Sequence, residues 1–205
     1  MEVQVLSSAQ MVDLIKILKF TQLLNKFSQV RRMILVKGEN RWENDTEHSY
    51  QLAMLALYIV EAEKLDFNQE LILKYALIHD LVEVYAGDTY IYSSDKKELD
   101  SKKQREIDSA KRLQDEFPEF LELHQLIKNY ENKGDKESKF IYALDKTQPL
   151  LNIYEDGGRT WREKNITLQM LIDHKKEKVA QSSEVEKYFN ELIKLLKKEE
   201  KTLFP

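Results

Sequence analysis

Only five glycines and three prolines interrupt this chain of 205 residues. Those two residue types mark most tight turns and helix breaks, so their scarcity leaves few places to reverse and favours long helices. Apolar residues recur at helical spacing, and no stretch shows sustained period-two alternation, so no sheet is expected. Ser8 can cap a helix through about Phe27 with Met11, Leu14, Ile15 and Leu18 as its apolar stripe. The polar stretch KGENRWEND (37–45) breaks the pattern. Asp45 or Thr46 can then cap a second helix, with Leu52, Leu55, Ala56 and Ile59 on one face.

Asn68 can cap a third helix running to about Tyr85, and residues 94–117 read as a solvated outer helix with opposite charges three or four apart. Pro118 opens a helix to about Tyr130, and NKGDKES is a loop. KFIYALDKTQPLLNIYED is helical, with a kink expected at Pro149. Gly157-Gly158 ends it, and helices are expected over 163–180 and 184–201. No repeat or linker divides the chain. The expectation is a single all-α domain over 1–205 with about seven to nine helices.

A net charge of −4 gives no overall positive field to hold a nucleic-acid polymer. With no cysteine, disulfides and thiolate metal sites are excluded, and a reducing compartment fits. The N-terminus lacks a signal-peptide pattern, and the apolar runs fall short of a membrane span. A soluble cytoplasmic protein is expected.

Against that background LKYALIHDLVEVYAGDTY (73–90) stands out. His79 lies in line with Ile72, Tyr75 and Ala76, and Asp80 is beside it. His48 shares the face of Leu52, Leu55 and Ile59, and Asp145 follows Ile141 by one turn. An inward histidine alone is more often a hydrogen-bonded core residue than a ligand. Four such groups over three helical segments would be expensive to bury unpaired. A divalent cation satisfies all four, and imidazole with carboxylate suits zinc, manganese, iron or cobalt. His124 and His174 have polar neighbours and read as surface residues.

His48, then His79-Asp80, then Asp145 resemble the H…HD…D signature of the HD-domain metal-dependent phosphohydrolases, an all-α family. TEHSYQLAMLA is similar to the EHS segment of its 5'-deoxynucleotidase-like branch. HDLVEVYAGD matches that branch's HD-x-x-E-x-x-x-GD, and LDK at 144–146 its final metal-binding segment. The resemblance covers about residues 10–175, with a C-terminal helix beyond.

The resemblance implies one divalent metal ion (Mn, Co, Mg, Zn, Fe or Ni) on His48, His79, Asp80 and Asp145. It implies that Glu83 positions or deprotonates the attacking water, and that Asp88 lies in the active site. Arg32 aligns best with a phosphate-contacting arginine; Arg31 and Lys146 are further candidates. The implied activity is a phosphomonoesterase that releases phosphate from nucleoside 5'-monophosphates, 2'-deoxyribonucleotides first, through metal-activated water. Dimers are common in the family, so a homodimer is implied as well. Members often carry Arg-Trp where this chain has Arg32-Met33, and Arg41-Trp42 lies just before His48, so sugar selectivity does not carry over. Trp161, Tyr75, Tyr85, Tyr90 and Tyr92 are candidates for a base pocket or for packing. Two alternatives stay open: an HD phosphohydrolase for another nucleotide or phosphoester, and a non-enzymatic nucleotide or metal sensor. Val84 stands where guanosine tetraphosphate hydrolases carry a second acid, and no HD-GYP pattern occurs.

Overall fold

The computed structural model describes residues 13–205. The expected cap at Ser8 and the stripe residue Met11 lie outside the described residues. In chain order the elements are α1 (Leu14–Phe27), β1 (Arg31–Leu35), β2 (Trp42–Asn44), α2 (Asp45–Ala62), α3 (Gln69–Ile78) and α4 (Glu83–Ala86). They continue with α5 (Lys96–Glu116), α6 (Leu121–Asn132), α7 (Lys136–Glu155), α8 (Arg159–Glu163), α9 (Leu168–Val179), α10 (Ser183–Lys198) and α11 (Glu200–Leu203). Helices α4, α8 and α11 are single turns that the periodic pattern does not resolve; the other eight fall within the expected number.

Local capping fixes the helix starts. Asn44 and Glu47 form a reciprocal capping box at α2, Asp135 and Ser138 do the same at α7, and Asn68, Asp95 and Thr167 cap α3, α5 and α9. The α2 cap is therefore Asn44, not Asp45 or Thr46, and Asp45 is buried within the first turn.

Helix α7 is the central strut, packed against α2, α3, α6, α9 and α10. Phe140, Ile141 and Leu144 of α7 meet Leu52, Ile72, Tyr75, Leu171, Phe189 and Leu196 in the main core. The helix continues through Pro149 to Glu155. Because proline has no N–H, the Asp145 carbonyl is left without its helical donor. A second cluster joins Leu23 and Phe27 of α1 to Leu81, Val82, Leu113 and Phe117.

Three further expectations are corrected. Leu14, Ile15 and Leu18 are 68%, 76% and 52% exposed, because α1 docks only through its C-terminal half, with Phe20 edge-on to Phe117. A small sheet does exist: β1 and β2 pair antiparallel, with Arg31 opposite Asn44 and Leu35 opposite Trp42. Strands this short carry no alternation. The hairpin is instead held by α8, where Leu35 donates to Thr160 Oγ1 (3.1 Å) and Arg159 donates to the Val36 and Glu39 carbonyls. Third, the helix from Asn68 stops at Ile78, and residues 79–82 form tight turns before α4. Among the described residues no helix is long and apolar enough to cross a membrane.

Gly158 follows α7 at φ +75°, and a Cβ there would lie 2.3 Å from the Leu203 carbonyl oxygen. Both strain and backbone clash oppose a side chain. Gly158→Ala is expected to cost about 2–4 kcal/mol, read as a lower midpoint in urea unfolding. An unchanged midpoint would contradict the close approach of α11.

Candidate active site

The end of α3 explains how neighbours converge. On a regular helix His79 and Asp80 would diverge by about 100°. His79 is instead the C-cap residue, and Asp80 opens the turn that follows, so both side chains lean to one point. Leu81 and Val82 anchor that turn in the second core cluster. Helix α5, expected to be an exposed outer helix, fastens the turn with its inner face. Ser109 donates to the Val82 carbonyl, and Arg105 donates to the Ala86 carbonyl and to Thr89 Oγ1. His48 reaches the same point from α2 and Asp145 from α7; one ligand atom from each of the four residues lies within 4.8 Å of the others.

The hydrogen-bond partners of the two imidazoles decide what this point accepts. Gln148 donates its amide to Gln51 Oε1 (2.8 Å), which leaves Gln148 Oε1 as the acceptor 3.0 Å from His48 Nδ1. His79 Nδ1 donates to the Ala76 carbonyl (2.9 Å). With both Nδ1 atoms protonated, the Nε2 lone pairs face carboxylates: His48 to Asp145 Oδ1 at 3.0 Å and His79 to Asp80 Oδ2 at 3.0 Å. Lone pairs and carboxylates at this spacing repel unless a positive charge lies between them. Burial and Arg32 push His48 down to about 4, keeping it neutral, whereas Asp80 holds His79 above its ordinary value although burial opposes it. The donor set fits a divalent ion such as zinc, manganese, iron or cobalt, with outer partners already orienting both imidazoles. Gln148→Ala is expected to weaken metal binding about 10–100-fold, measured by competition with a chelator. Unchanged affinity would remove Gln148 from that role.

Around this point lies an unusual density of buried charge. Arg32, from β1, places Nη1 2.6 Å from Asp80 Oδ2 and 3.5 Å from Asp45 Oδ1, with Nε 3.5 Å from Glu43 Oε2. Burial pushes the Glu43 carboxyl up to about 7 and that of Asp45 up to about 8. Glu83, in the first turn of α4, is buried, and its Oε2 has no hydrogen-bond partner. Burial, then Asp80 and Asp88, hold its carboxyl well above the usual range. Gly87 at φ +74° makes the turn that brings Asp88 to the cavity, where burial raises it too. Lys146 Nζ is 2.5 Å from Asp145 Oδ2. Arg31 is exposed and does not line the cavity, because it alternates with Arg32 along β1.

These groups close one end of a cavity of about 370 Å³. Its apolar wall includes Met33, Tyr90, Tyr92, Trp161 and Ile166. Tyr75 and Tyr85 bond instead to Asp135 (2.6 Å) and Glu116 (2.9 Å), and Arg41 to Glu39 and Glu47. Trp42 lies outside the lining, under the Lys164 ammonium. His174 is exposed beside Tyr92, and His124 is half-buried and donates to the Phe117 carbonyl.

Sequence reading missed Glu43, Asp45 and Gln148, and it missed Lys102, Lys175 and Lys178 on the cavity wall. Lys175 had a signal: it falls in the buried stripe of Leu168, Leu171 and Val179 on α9. Burial, then Lys146, push its ammonium down to about 7; Lys178 and Arg32 act the same way and Asp145 opposes. A lysine depressed on folding binds fewer protons in the native state than in the unfolded one between about pH 7 and its ordinary 10.5, so this group makes stability rise with pH there. Lys175→Met is expected to flatten that rise in urea titrations across the range. A slope unchanged by the substitution would contradict the buried placement.

The HD domain family model matches residues 25–186. A 5'-deoxynucleotidase HDDC2 from Bos taurus is 32% identical over 68% of this chain and 68% of its own length. The Homo sapiens protein of the same name is 30% identical over 68% and 69%. A crystal structure described as a predicted metal-dependent phosphohydrolase from Magnetospirillum magnetotacticum MS-1 superposes with a TM-score of 0.78 at 28% identity, covering 94% of this chain and 96% of that one. With two imidazoles and two carboxylates converging beside a buried acid, the chain belongs to the HD-domain family and is a metal-dependent phosphohydrolase.

Proposed function

We propose that this enzyme hydrolyses nucleoside 5'-monophosphates, 2'-deoxyribonucleotides foremost, to nucleoside and phosphate. The observation that carries the reading is the convergence of His48, His79, Asp80 and Asp145 at the end of a cavity that also holds Glu83, Arg32 and an aromatic wall. The relatives named 5'-deoxynucleotidase support the substrate class.

A divalent ion held by those four residues would polarise a phosphoryl oxygen and make a bound water more acidic. Glu83, whose raised carboxyl has a free oxygen, orients the attacking water and takes its proton. Arg32 turns its planar guanidinium to the phosphate oxygens and Lys146 adds a point charge. Asp88 contacts the sugar or assists the leaving oxygen. The base lies against Tyr90, Tyr92 and Trp161, and Met33 borders the sugar. The same reading takes the chain as one cytoplasmic domain acting on a small molecule, as a homodimer.

The test is phosphate release from 5'- and 3'-monophosphates, deoxy and ribo, by metal-stripped protein with manganese, cobalt, magnesium or zinc restored. Release from the 5'-deoxy series is expected to exceed the ribo and 3' series. Release from other phosphoesters only, with none from nucleotides, would overturn the substrate assignment.

A further inference from the structure

Lysine is almost never buried without a partner, because an unpaired ammonium away from water is costly. Lys175 is 7% exposed, in the apolar stripe of α9. Lys178, one turn on, is half-buried, and both line the cavity. Among the described residues no carboxylate lies within ion-pair distance of either. The other lysines of that wall differ: Lys102 lies 3.3 Å from Glu106 and 3.8 Å from Glu83, and Lys146 is paired with Asp145. Lys102 of α5, Lys146 of α7 and Lys175 and Lys178 of α9 all line the same cavity, and burial, then Lys146 and Lys102, push the Lys178 ammonium down while Asp145 opposes.

A protein that only needed to fill this space would place methionine or leucine at 175, since replacing buried charge by apolar volume is often neutral or stabilising. An anion facing the wall resolves the cost. The scissile phosphate does not supply it, because Arg32 and Lys146 beside the ligand cluster already serve that group.

We infer that Lys175 and Lys178 form a second anion subsite, which takes another phosphoryl group of the same substrate. A nucleotide that carries a second phosphoryl group besides its 5'-phosphate is then bound more tightly than the plain 5'-monophosphate. This rests on the phosphohydrolase site holding the first phosphate. The second could be joined to the first, as in a 5'-diphosphate, or sit across the sugar, as in a 3',5'-bisphosphate. Either presents the same dianionic oxygens to two ammonium groups spaced three residues apart on one helix face.

Binding is measured by calorimetry with manganese-loaded protein carrying Glu83→Gln, so that ligand is not consumed. The probes are the 5'-monophosphate, 5'-diphosphate and 3',5'-bisphosphate of deoxyadenosine. One of the doubly phosphorylated probes is expected to bind at least about tenfold tighter than the monophosphate, and which one identifies the source. Adding Lys175→Met or Lys178→Gln should erase that advantage, and Lys175→Arg should restore part of it. Lys175→Met should melt at or above the wild-type temperature, which separates lost binding from lost folding.

Equal affinity for all three probes, or an advantage that survives both lysine substitutions, would overturn the subsite. Phosphate release by wild-type protein is read in parallel. Release from monophosphates without any lysine-dependent preference sinks the subsite alone. A lysine-dependent preference without release from any nucleotide sinks the hydrolase assignment and leaves the anion site standing.

Discussion

Asp80→Asn is expected to lower kcat/KM for phosphate release by at least about 10³-fold, equivalent to about 4 kcal/mol of transition-state stabilisation. Asp80 Oδ2 is the hub of the cluster, 3.0 Å from His79 Nε2, 3.9 Å from His48 Nε2 and 2.6 Å from Arg32 Nη1. Asparagine keeps the shape but removes the charge and turns one oxygen into a donor that cannot ligate a cation. Metal content by elemental analysis should fall with activity. A variant that kept both would show that the ion is held elsewhere.

Glu83→Gln is expected to separate binding from chemistry. A general base contributes about 10²–10⁴-fold, and glutamine can neither accept the proton nor leave the volume empty. The kcat should fall by that factor while metal content stays at the wild-type level. The environment supports this role: Glu83 is 4% exposed, its Oε2 has no hydrogen-bond partner, and Lys102 Nζ is 3.8 Å from its other oxygen. Metal loss in Glu83→Gln would instead place Glu83 among the ligands.

The convergence of His48, His79, Asp80 and Asp145 could be anticipated from sequence because it breaks a strong pattern. His48, His79 and Asp145 each interrupt an apolar helix face, and periodicity assigns those faces from local residues alone. What escaped depends on contacts between distant segments. The strands β1 and β2 are too short to alternate, and α8 holds β1 through bonds such as Leu35 to Thr160, 125 residues apart. Glu43 and Asp45 read as solvated loop and cap, yet the hairpin turns them inward against Arg32. The break after Ile78 was hidden because Leu81 and Val82 continue the apolar rhythm while packing into a different cluster. Lys175 was legible by the same rule that found His79, since it stands in the stripe of Leu171 and Val179. Gln148 lies three residues beyond Asp145 and had that spacing as its signal.

The most direct test of the account is a metal titration. Metal-stripped protein is given manganese or cobalt in fractions of an equivalent, and phosphate release from a deoxynucleoside 5'-monophosphate is followed. The account predicts negligible release without metal and a rise with occupancy that saturates at about one ion per chain. It also predicts no recovery in Asp80→Asn at the same additions. Full activity in the stripped protein, or equal recovery in Asp80→Asn, would contradict a reaction that depends on an ion held by His48, His79, Asp80 and Asp145.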